Sequence, residues 1–128
     1  MDIPDLAATA GAVSRVLRPG GWFLFTIMHP CFQTSDSRWF TEEGKGTGRL
    51  VRAYFLEARW KSKDPAGMRA RVGAVHRTLS SYFNTVCSAG LLLQRVAEPR
   101  IPREPGKLEP AYDEVPALLA ARFVKPEP

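Results

Sequence analysis

The sequence predicts an α/β fold, in which helices pack on a β-sheet. Residues 22–28 (WFLFTIM) are apolar at every position except Thr26, a pattern typical of a strand in the middle of a mostly parallel sheet covered by helices on both faces. A helical pattern precedes this strand through a short Pro-Gly-Gly turn, and a second helical pattern precedes another apolar run that starts at Leu91. Helices that alternate with buried strands indicate the α/β class.

The first helix is predicted over residues 4–17. Asp2 suits the N-cap and Pro4 the first turn. The apolar face is formed by residues at helical spacing, namely Leu6, Ala10, Val13 and Leu17. Pro19 cannot continue the helix, and Pro19-Gly20 predicts a type II turn that leads directly into the strand.

The stretch that follows this strand is predicted to be a loop and then a hairpin. Residues 33–48 are polar and glycine-rich, which favours a long loop. Residues 50–76 predict an antiparallel hairpin, with β-prone residues up to Trp60, a turn at 64–67 (DPAG) and loose alternation over 68–76.

The second helix is predicted over residues 78–89. Thr78 suits its cap, Gly90 suits its end, and an apolar face lies between them: Leu79, Tyr82, Phe83, Val86 and Cys87. A strand is predicted at 91–98, a proline-rich loop at 99–115, a short helix at 116–120 and a last strand at 121–125.

Composition and charge narrow the function classes. The chain has 128 residues, the size of one domain, and a formal net charge of +5. Residues 49–77 interleave basic and aromatic side chains, which can mark nucleic-acid contact, but no nucleic-acid motif accompanies them. We interpret them as a solvated basic surface and expect no nucleic-acid partner. No apolar run approaches the roughly 20 residues of a membrane span, so we expect no membrane association.

The two cysteines indicate the compartment. Cys31 and Cys87 lie far apart in the sequence and do not have the spacing of a metal site. They fit free thiols in a reducing cytoplasm better than a disulfide framework. We therefore expect a cytoplasmic protein without a bound metal.

Several motifs together resemble one family. They are RVLRPGG, the buried strand with HPCF after it, HRTLSSYFNTVCSAG, a strand that ends in Glu98-Pro99, and ARFVKP at 121–126. In this order they resemble the second half of the class I S-adenosylmethionine-dependent methyltransferases. The resemblance implies a partial Rossmann-like sheet, strands five to seven, in the order five, seven, six, with the last strand antiparallel between its neighbours.

The same resemblance implies a single partial domain over residues 1–128. Residues 1–32 would form the helix-strand core, 33–76 an insertion or lid with a β-hairpin, and 77–128 a helix and the closing strand pair. The implied activity is methyl transfer from S-adenosylmethionine to a small-molecule acceptor.

The main cofactor-binding motif of that family is not found in this sequence. No glycine-rich loop follows a first strand, and the glycines at 44–48 follow no apolar strand and open no helix. We therefore expect a truncated form with little activity alone. The bare edge of the 22–28 strand would pair with the missing N-terminal half or with a second copy. The alternative is a non-catalytic α/β module that dimerises through this edge.

Candidate site residues follow from the position of the buried strand. Ligands of open α/β sheets bind beyond the carboxyl ends of the strands, which places His29 and Pro30 first. His29 is the candidate for orienting or deprotonating an acceptor, the alternative being a structural histidine bonded to backbone. The other candidates for acceptor binding are Trp39, Tyr54, His76 and Arg77, although the two aromatic residues also suit a small core of the insertion, and His76 a helix entry.

Overall fold

Two helices pack on one face of a three-stranded sheet, and a separate hairpin extends from the end of the first strand. The computed structural model describes residues 2–63, 65–101 and 110–128. The elements in chain order are α1 (Leu6–Val16), β1 (Trp22–Met28), β2 (Asp36–Glu42), β3 (Gly46–Arg52), β4 (Arg59–Trp60), α2 (Met68–Val72), β5 (Ala74–Val75), α3 (Leu79–Ser88), β6 (Leu92–Ala97), a 3₁₀ helix (Pro110–Asp113) and β7 (Leu118–Val124). None of the helices in these ranges is long and apolar enough to cross a bilayer.

The main sheet has the strand order β1-β7-β6. β7 is antiparallel to both neighbours, and Phe123 lies opposite Phe23 on one side and Leu93 on the other. β1 and β6 therefore run parallel to each other, with their carboxyl ends at the same edge of the sheet. The order predicted for the sheet is confirmed, and the outer edge of β1 has no partner strand within the described ranges.

The core lies between the sheet and the helices α1 and α3. Phe123 of β7 is fully buried at its centre, where its ring stacks on Phe25 at 5.8 Å and contacts Phe83 at 6.4 Å. The rest of the buried cluster comes from both helices, from the residue just before β6 and from β7: Ala10, Val86, Leu91 and Ala121. The helical spacing seen in the sequence therefore identifies the faces that pack on the sheet.

The opposite face of the sheet is open, which corrects the expectation that helices cover β1 on both sides. Trp22 and Leu24 of β1 are 56% and 48% exposed. The Arg122 guanidinium lies 5.1 Å from the centre of the Trp22 ring and shields part of it. Within the described ranges, helices cover only the face that carries Phe23, Phe25 and Phe123.

The ends of α1 are fixed by side chains and by a turn. Asp5, and not Asp2 as predicted, is the N-cap and accepts a hydrogen bond from the Ala8 amide. Gly20 has a φ of 73°, and the Gly21 amide donates to the Arg18 carbonyl, so the type II turn is confirmed. At the other end of the chain, Lys125 reaches back to the last carbonyls of α1.

The N-terminus of α3 has two capping groups. Thr78 is the predicted N-cap and accepts a hydrogen bond from the Ser81 amide. The Glu57 carboxylate, from the insertion, accepts from the amide and the hydroxyl of Thr78 and from the hydroxyl of Ser81. The bonds from Ser81 and from the Thr78 amide are the main reasons that the pKa of Glu57 lies below its usual value.

The depressed pKa of Glu57 predicts a loss of stability in acid. A carboxylate whose pKa is lower in the folded state stabilises the fold above its ordinary pKa of about 4.3, and this contribution is lost as the pH falls through the folded-state pKa. Replacing Glu57 by glutamine is expected to remove that part of the pH dependence of the unfolding free energy. Urea unfolding between neutral and acid pH measures it, with Glu43→Gln on the exposed hairpin turn as control. A profile that is unchanged in Glu57→Gln would contradict the assignment.

The insertion differs from the prediction. The hairpin is β2–β3, over residues predicted to be a loop, and it reverses at Gly44 and Gly46, which both have a positive φ. The polar sequence of β2 gave no signal for a strand. Phe40 of β2 lies opposite Gly48 of β3, and a Cβ at position 48 would come within 2.7 Å of the Phe40 ring, so only glycine leaves room for it.

The hairpin predicted over 50–76 is wrong except for the two-residue pair β4–β5. Residues 68–72 form α2, and Gly73 ends it with a φ of 77°. Of the DPAG turn, residues 65–67 are in turn or bend conformation, and Asp64 lies outside the described residues.

The short helix predicted at 116–120 is also wrong, because β7 begins at Leu118. The alanine- and leucine-rich start of β7 favours a helix by propensity. Pairing with β1 and β6 on its two sides overrides that preference. Residues 102–109 of the loop predicted at 99–115 lie outside the described residues, and a 3₁₀ turn occupies Pro110–Asp113.

Candidate functional site

Polar side chains meet where β1 and β6 end. His29 follows the last residue of β1 and Glu98 follows the last residue of β6. Because the two strands are parallel, these side chains lie at the same edge of the sheet, and His29 Nε2 is 2.7 Å from Glu98 Oε1. The predicted residue His29 therefore has an acidic partner that is 69 positions away in the sequence.

The hydrogen bonds of His29 define its tautomer. The Cys31 amide donates to Nδ1 at 3.2 Å, so this nitrogen carries a lone pair, and Nε2 carries the proton that it donates to Glu98. The His29 side chain is buried, whereas that of Glu98 is 54% exposed. An incoming molecule therefore meets the carboxylate, and the histidine holds that carboxylate from behind.

Cys31 connects this pair to Tyr54. The Cys31 thiol is one of the groups that act electrostatically on the Tyr54 hydroxyl, and this hydroxyl accepts a bond of 2.9 Å from the Leu79 amide at the start of α3. Burial is the main cause that raises the pKa of Tyr54, and the neighbouring thiol raises it further. Ala53, just before Tyr54, has a φ of 55°, a conformation that non-glycine residues rarely adopt. The local backbone strain is thus located where the chain turns Tyr54 towards the site.

His76 lies behind Tyr54. It is fully buried, its ring is 5.8 Å from the ring of Tyr54, and its Nε2 donates to the Tyr54 carbonyl at 2.8 Å. Its Nδ1 is buried without a hydrogen-bond partner within the described part of the chain. The structure therefore brings Tyr54 and His76 of the predicted set into contact, and among the described residues it links Tyr54 to His29 only through Cys31.

Trp39 belongs to a second group, on the hairpin. Its ring contacts Tyr112 edge-on at 4.9 Å, and the Arg49 guanidinium lies 4.5 Å from its centre. Trp39 and Arg49 line an open groove of about 640 Å³. Phe32 joins this second group to the first, because its ring is 5.0 Å from that of His29 and its carbonyl accepts from Arg49 Nε.

The two remaining predicted residues have structural surroundings. Pro30 is fully buried next to His29. The Arg77 guanidinium donates to the carbonyls of Ile3 and Pro4 and lies over the ring of Tyr82. Arg77 therefore ties the segment before α1 to the start of α3, and these contacts do not include the His29 group.

Five residues of these groups lie outside the predicted set: the polar or charged residues Glu98, Cys31 and Arg49, and the aromatic residues Phe32 and Tyr112. Glu98 carried a usable signal, because it directly follows a strand that was predicted to lie in the same sheet as β1, parallel to it and separated from it by the last strand. Arg49 carried none, since residues 33–48 were expected to be a loop and its cross-strand partner Trp39 was therefore unknown.

The glycines at 44–48 do not fit the cofactor-binding loop of a nucleotide fold. Gly44 lies in the exposed turn between β2 and β3, Gly46 and Gly48 belong to β3, and none of the three opens a helix whose amides would face a ligand. Within the described ranges α1 is preceded by no strand. The residues described here therefore contain no cradle for S-adenosylmethionine of the kind that the resemblance calls for.

Comparisons with solved structures give clear matches, while neither the protein-family models nor the curated proteins give any. An S-adenosylmethionine-dependent methyltransferase from Mesorhizobium loti matches over 95% of this chain, with a TM-score of 0.77 and 22% identity. A Listeria monocytogenes protein assigned to the same activity matches over 98%, with a TM-score of 0.74 and 27% identity. This chain spans 56% of the length of each. The chain has a class I S-adenosylmethionine-dependent methyltransferase-like fold.

Proposed function

We propose that this chain forms the acceptor-binding half of an S-adenosylmethionine-dependent methyltransferase that acts on a small molecule. The observation that carries the proposal is the pair of His29 and Glu98 at the carboxyl ends of β1 and β6. His29 Nε2 and Glu98 Oε1 are 2.7 Å apart. Ligands of open α/β sheets bind at this edge. The similar structures are themselves described as methyltransferases that depend on this cofactor.

The residues of this chain would act on the acceptor. Methyl transfer depends mainly on holding the two reactants in line, and a base is needed only where the acceptor must lose a proton. The exposed Glu98 carboxylate would accept that proton from an acceptor hydroxyl. His29 would hold the carboxylate in place through its Nε2 proton. The insertion over 33–76, with Tyr54 on its inner side, would close over the acceptor.

The cofactor would be bound by residues other than those described here. We propose that the bare edge of β1 pairs with a strand of a cofactor-binding half. Beside this edge is a small groove of about 50 Å³, between β1 and α1. Its lining is mainly apolar and includes Leu6, Ala10, Phe23, Phe25 and Ile27. An added strand would place apolar side chains in this groove and satisfy the free backbone groups of the edge.

Titration calorimetry with S-adenosylmethionine tests this division. The isolated chain is expected to show no binding in the micromolar range, because it has no glycine-rich cradle. A fusion that places the unmatched part of the Listeria protein before Asp2 is expected to bind the cofactor at micromolar concentration. Micromolar binding by the isolated chain would contradict the division. A folded, monomeric fusion that binds no cofactor would contradict the proposed function itself.

In that fusion, Glu98→Gln is expected to lower methyl transfer to hydroxyl acceptors by about a hundredfold or more, the usual contribution of a general base. Cofactor binding should not change. Release of S-adenosylhomocysteine with a panel of small phenols measures the rate, and the exposed residue Glu127, as Glu127→Gln, serves as control. If Glu127→Gln lowers the rate of methyl transfer as much as Glu98→Gln does, the role of Glu98 is contradicted.

A second function is favoured by the same edge, namely a non-catalytic module that pairs with a copy of itself. The module and the enzyme half predict different association states of the isolated chain, and sedimentation measures this state. A stable, monodisperse dimer of the isolated chain would favour the module. Association into mixed larger species would favour an enzyme half that lacks its cover. The compartment we propose is the cytoplasm, where the thiols of Cys31 and Cys87 would stay reduced.

A further inference from the structure

The groove beside the β2–β3 hairpin is strongly basic. Its volume is about 640 Å³, and it is lined by two tryptophans, Trp39 and Trp60, together with polar and charged residues. The charged lining residues in the described ranges are Arg38, Arg49, Lys61, Lys63 and a single acidic residue, Asp36. The groove therefore carries an excess of three positive charges, which attracts anions.

Arg49 is the half-buried cation of this groove. Within the described ranges its hydrogen bonds go to neutral oxygens: the Phe32 carbonyl at 2.9 Å, Gln33 Oε1 at 3.1 Å and Ser37 Oγ at 2.8 Å. No carboxylate of the described residues lies within 4.0 Å of its guanidinium nitrogens. Burial lowers the pKa of Arg49, so the folded chain holds this cation at a cost. An arginine fixed in this way, whose Nη1 bonds to none of the described residues, is suited to bind a carboxylate.

The aromatic surface next to Arg49 favours a flat ligand. The Arg49 guanidinium lies over Trp39, at 4.5 Å from the ring centre, and this fixes its plane. Tyr112 supports the other edge of Trp39. A planar ring that enters the groove would lie against an indole while its anionic group reaches the guanidinium.

We propose that the acceptor is a planar aromatic carboxylate, held by Arg49 in the basic groove. This inference rests on the proposed function, and it names the substrate class of the same site. Phe32 links the groove to the first group, because its carbonyl accepts from Arg49 Nε and its ring is 5.0 Å from that of His29. We therefore place the rest of the acceptor on the side of the groove that leads towards the His29–Glu98 pair. Lys61 and Lys63 at the exposed rim would raise the rate of association.

The test uses the whole isolated chain and two probes of similar shape. We expect 2-naphthoate to bind at least tenfold more tightly than 2-naphthalenemethanol, which lacks the charge. Arg49→Gln is expected to weaken naphthoate binding at least tenfold and to leave the alcohol unchanged. Arg52→Gln is the matched control, because it removes the same charge from the same strand at an exposed position outside the groove. Equilibrium dialysis measures binding, and circular dichroism checks that each variant is folded.

Three outcomes would overturn the inference. The first is equal binding of the two probes, and the second is equal weakening of naphthoate binding by Arg49→Gln and Arg52→Gln. The third is salt-sensitive binding of a uridine oligonucleotide that depends on Arg49, since this would assign the groove to nucleic acid. The dialysis contains no cofactor. A failure of the cofactor titration therefore leaves this result standing, and a failure here leaves the methyl-transfer proposal standing with another acceptor class.

Discussion

Replacing Phe123 by alanine is expected to lower the free energy of unfolding by about 3–5 kcal/mol, the usual cost of removing a buried aromatic ring. Phe123 is fully buried, and its ring contacts those of Phe25 and Phe83 between the sheet and α3. A domain of this size is stable by only about 5–15 kcal/mol, so this single change removes a large part of the total.

Urea unfolding followed by circular dichroism measures the loss. Phe55→Ala is the control, because Phe55 is 87% exposed and its removal should cost about 0.5 kcal/mol or less. Phe123→Leu, which keeps much of the buried volume, gives a value if the alanine variant does not fold, and it should lose less than the alanine variant. A cost for Phe123→Ala that does not exceed that of Phe55→Ala would show that the core is misplaced.

Replacing Lys125 by methionine is expected to cost about 1.5–3 kcal/mol, the range for a hydrogen bond to a charged group in a partly buried setting. Lys125 Nζ donates to the carbonyls of Ser14 and Leu17 at 2.7 and 2.9 Å. These carbonyls lie at the end of α1, where no further turn of helix donates amides to them and where a positive charge is favoured. Methionine keeps the length of the side chain and removes the charge.

The matched control for Lys125 is Lys45→Met. Lys45 also has a short ion pair, with Glu42 at 2.6 Å, but both side chains are largely exposed. Exposed pairs contribute between about 0 and 1 kcal/mol. Thermal unfolding of the two variants at equal ionic strength should therefore separate them. Equal losses would contradict a capping role for Lys125.

The main sheet could be predicted because its signals are local. Every position of β1 but Thr26 is apolar, and the boundaries of 22–28 are confirmed. The face of α3 repeats at helical spacing, and its cap Thr78 and its stop Gly90 are also confirmed. The strand order followed from the family resemblance rather than from any pattern in the residues.

The hairpin could not be predicted because its stability comes from pairing. β2 has a polar sequence with only two aromatic residues, and it becomes a strand because β3 lies opposite it in register. Phe40 lies across a glycine and Trp39 lies opposite Arg49, which are relations between positions that only the folded chain brings together.

The candidate site could be predicted only in part, because its contacts also join positions that are far apart in the sequence. His29 was predicted from its place after a buried strand, whereas its partner Glu98 depends on two parallel strands separated by a third. Tyr54 was predicted as a residue of the insertion, but its bond to the Leu79 amide depends on how the insertion returns to α3.

The place of β7 in the sheet has a consequence for synthesis. β7 lies between β1 and β6, yet it is the last of these three strands in the chain. On the ribosome, neither of the two earlier strands can therefore find its neighbour until the third has emerged. The nascent chain must carry the apolar residues of β1 without their β7 partner throughout translation of the insertion, which makes early contact with a chaperone valuable to this protein.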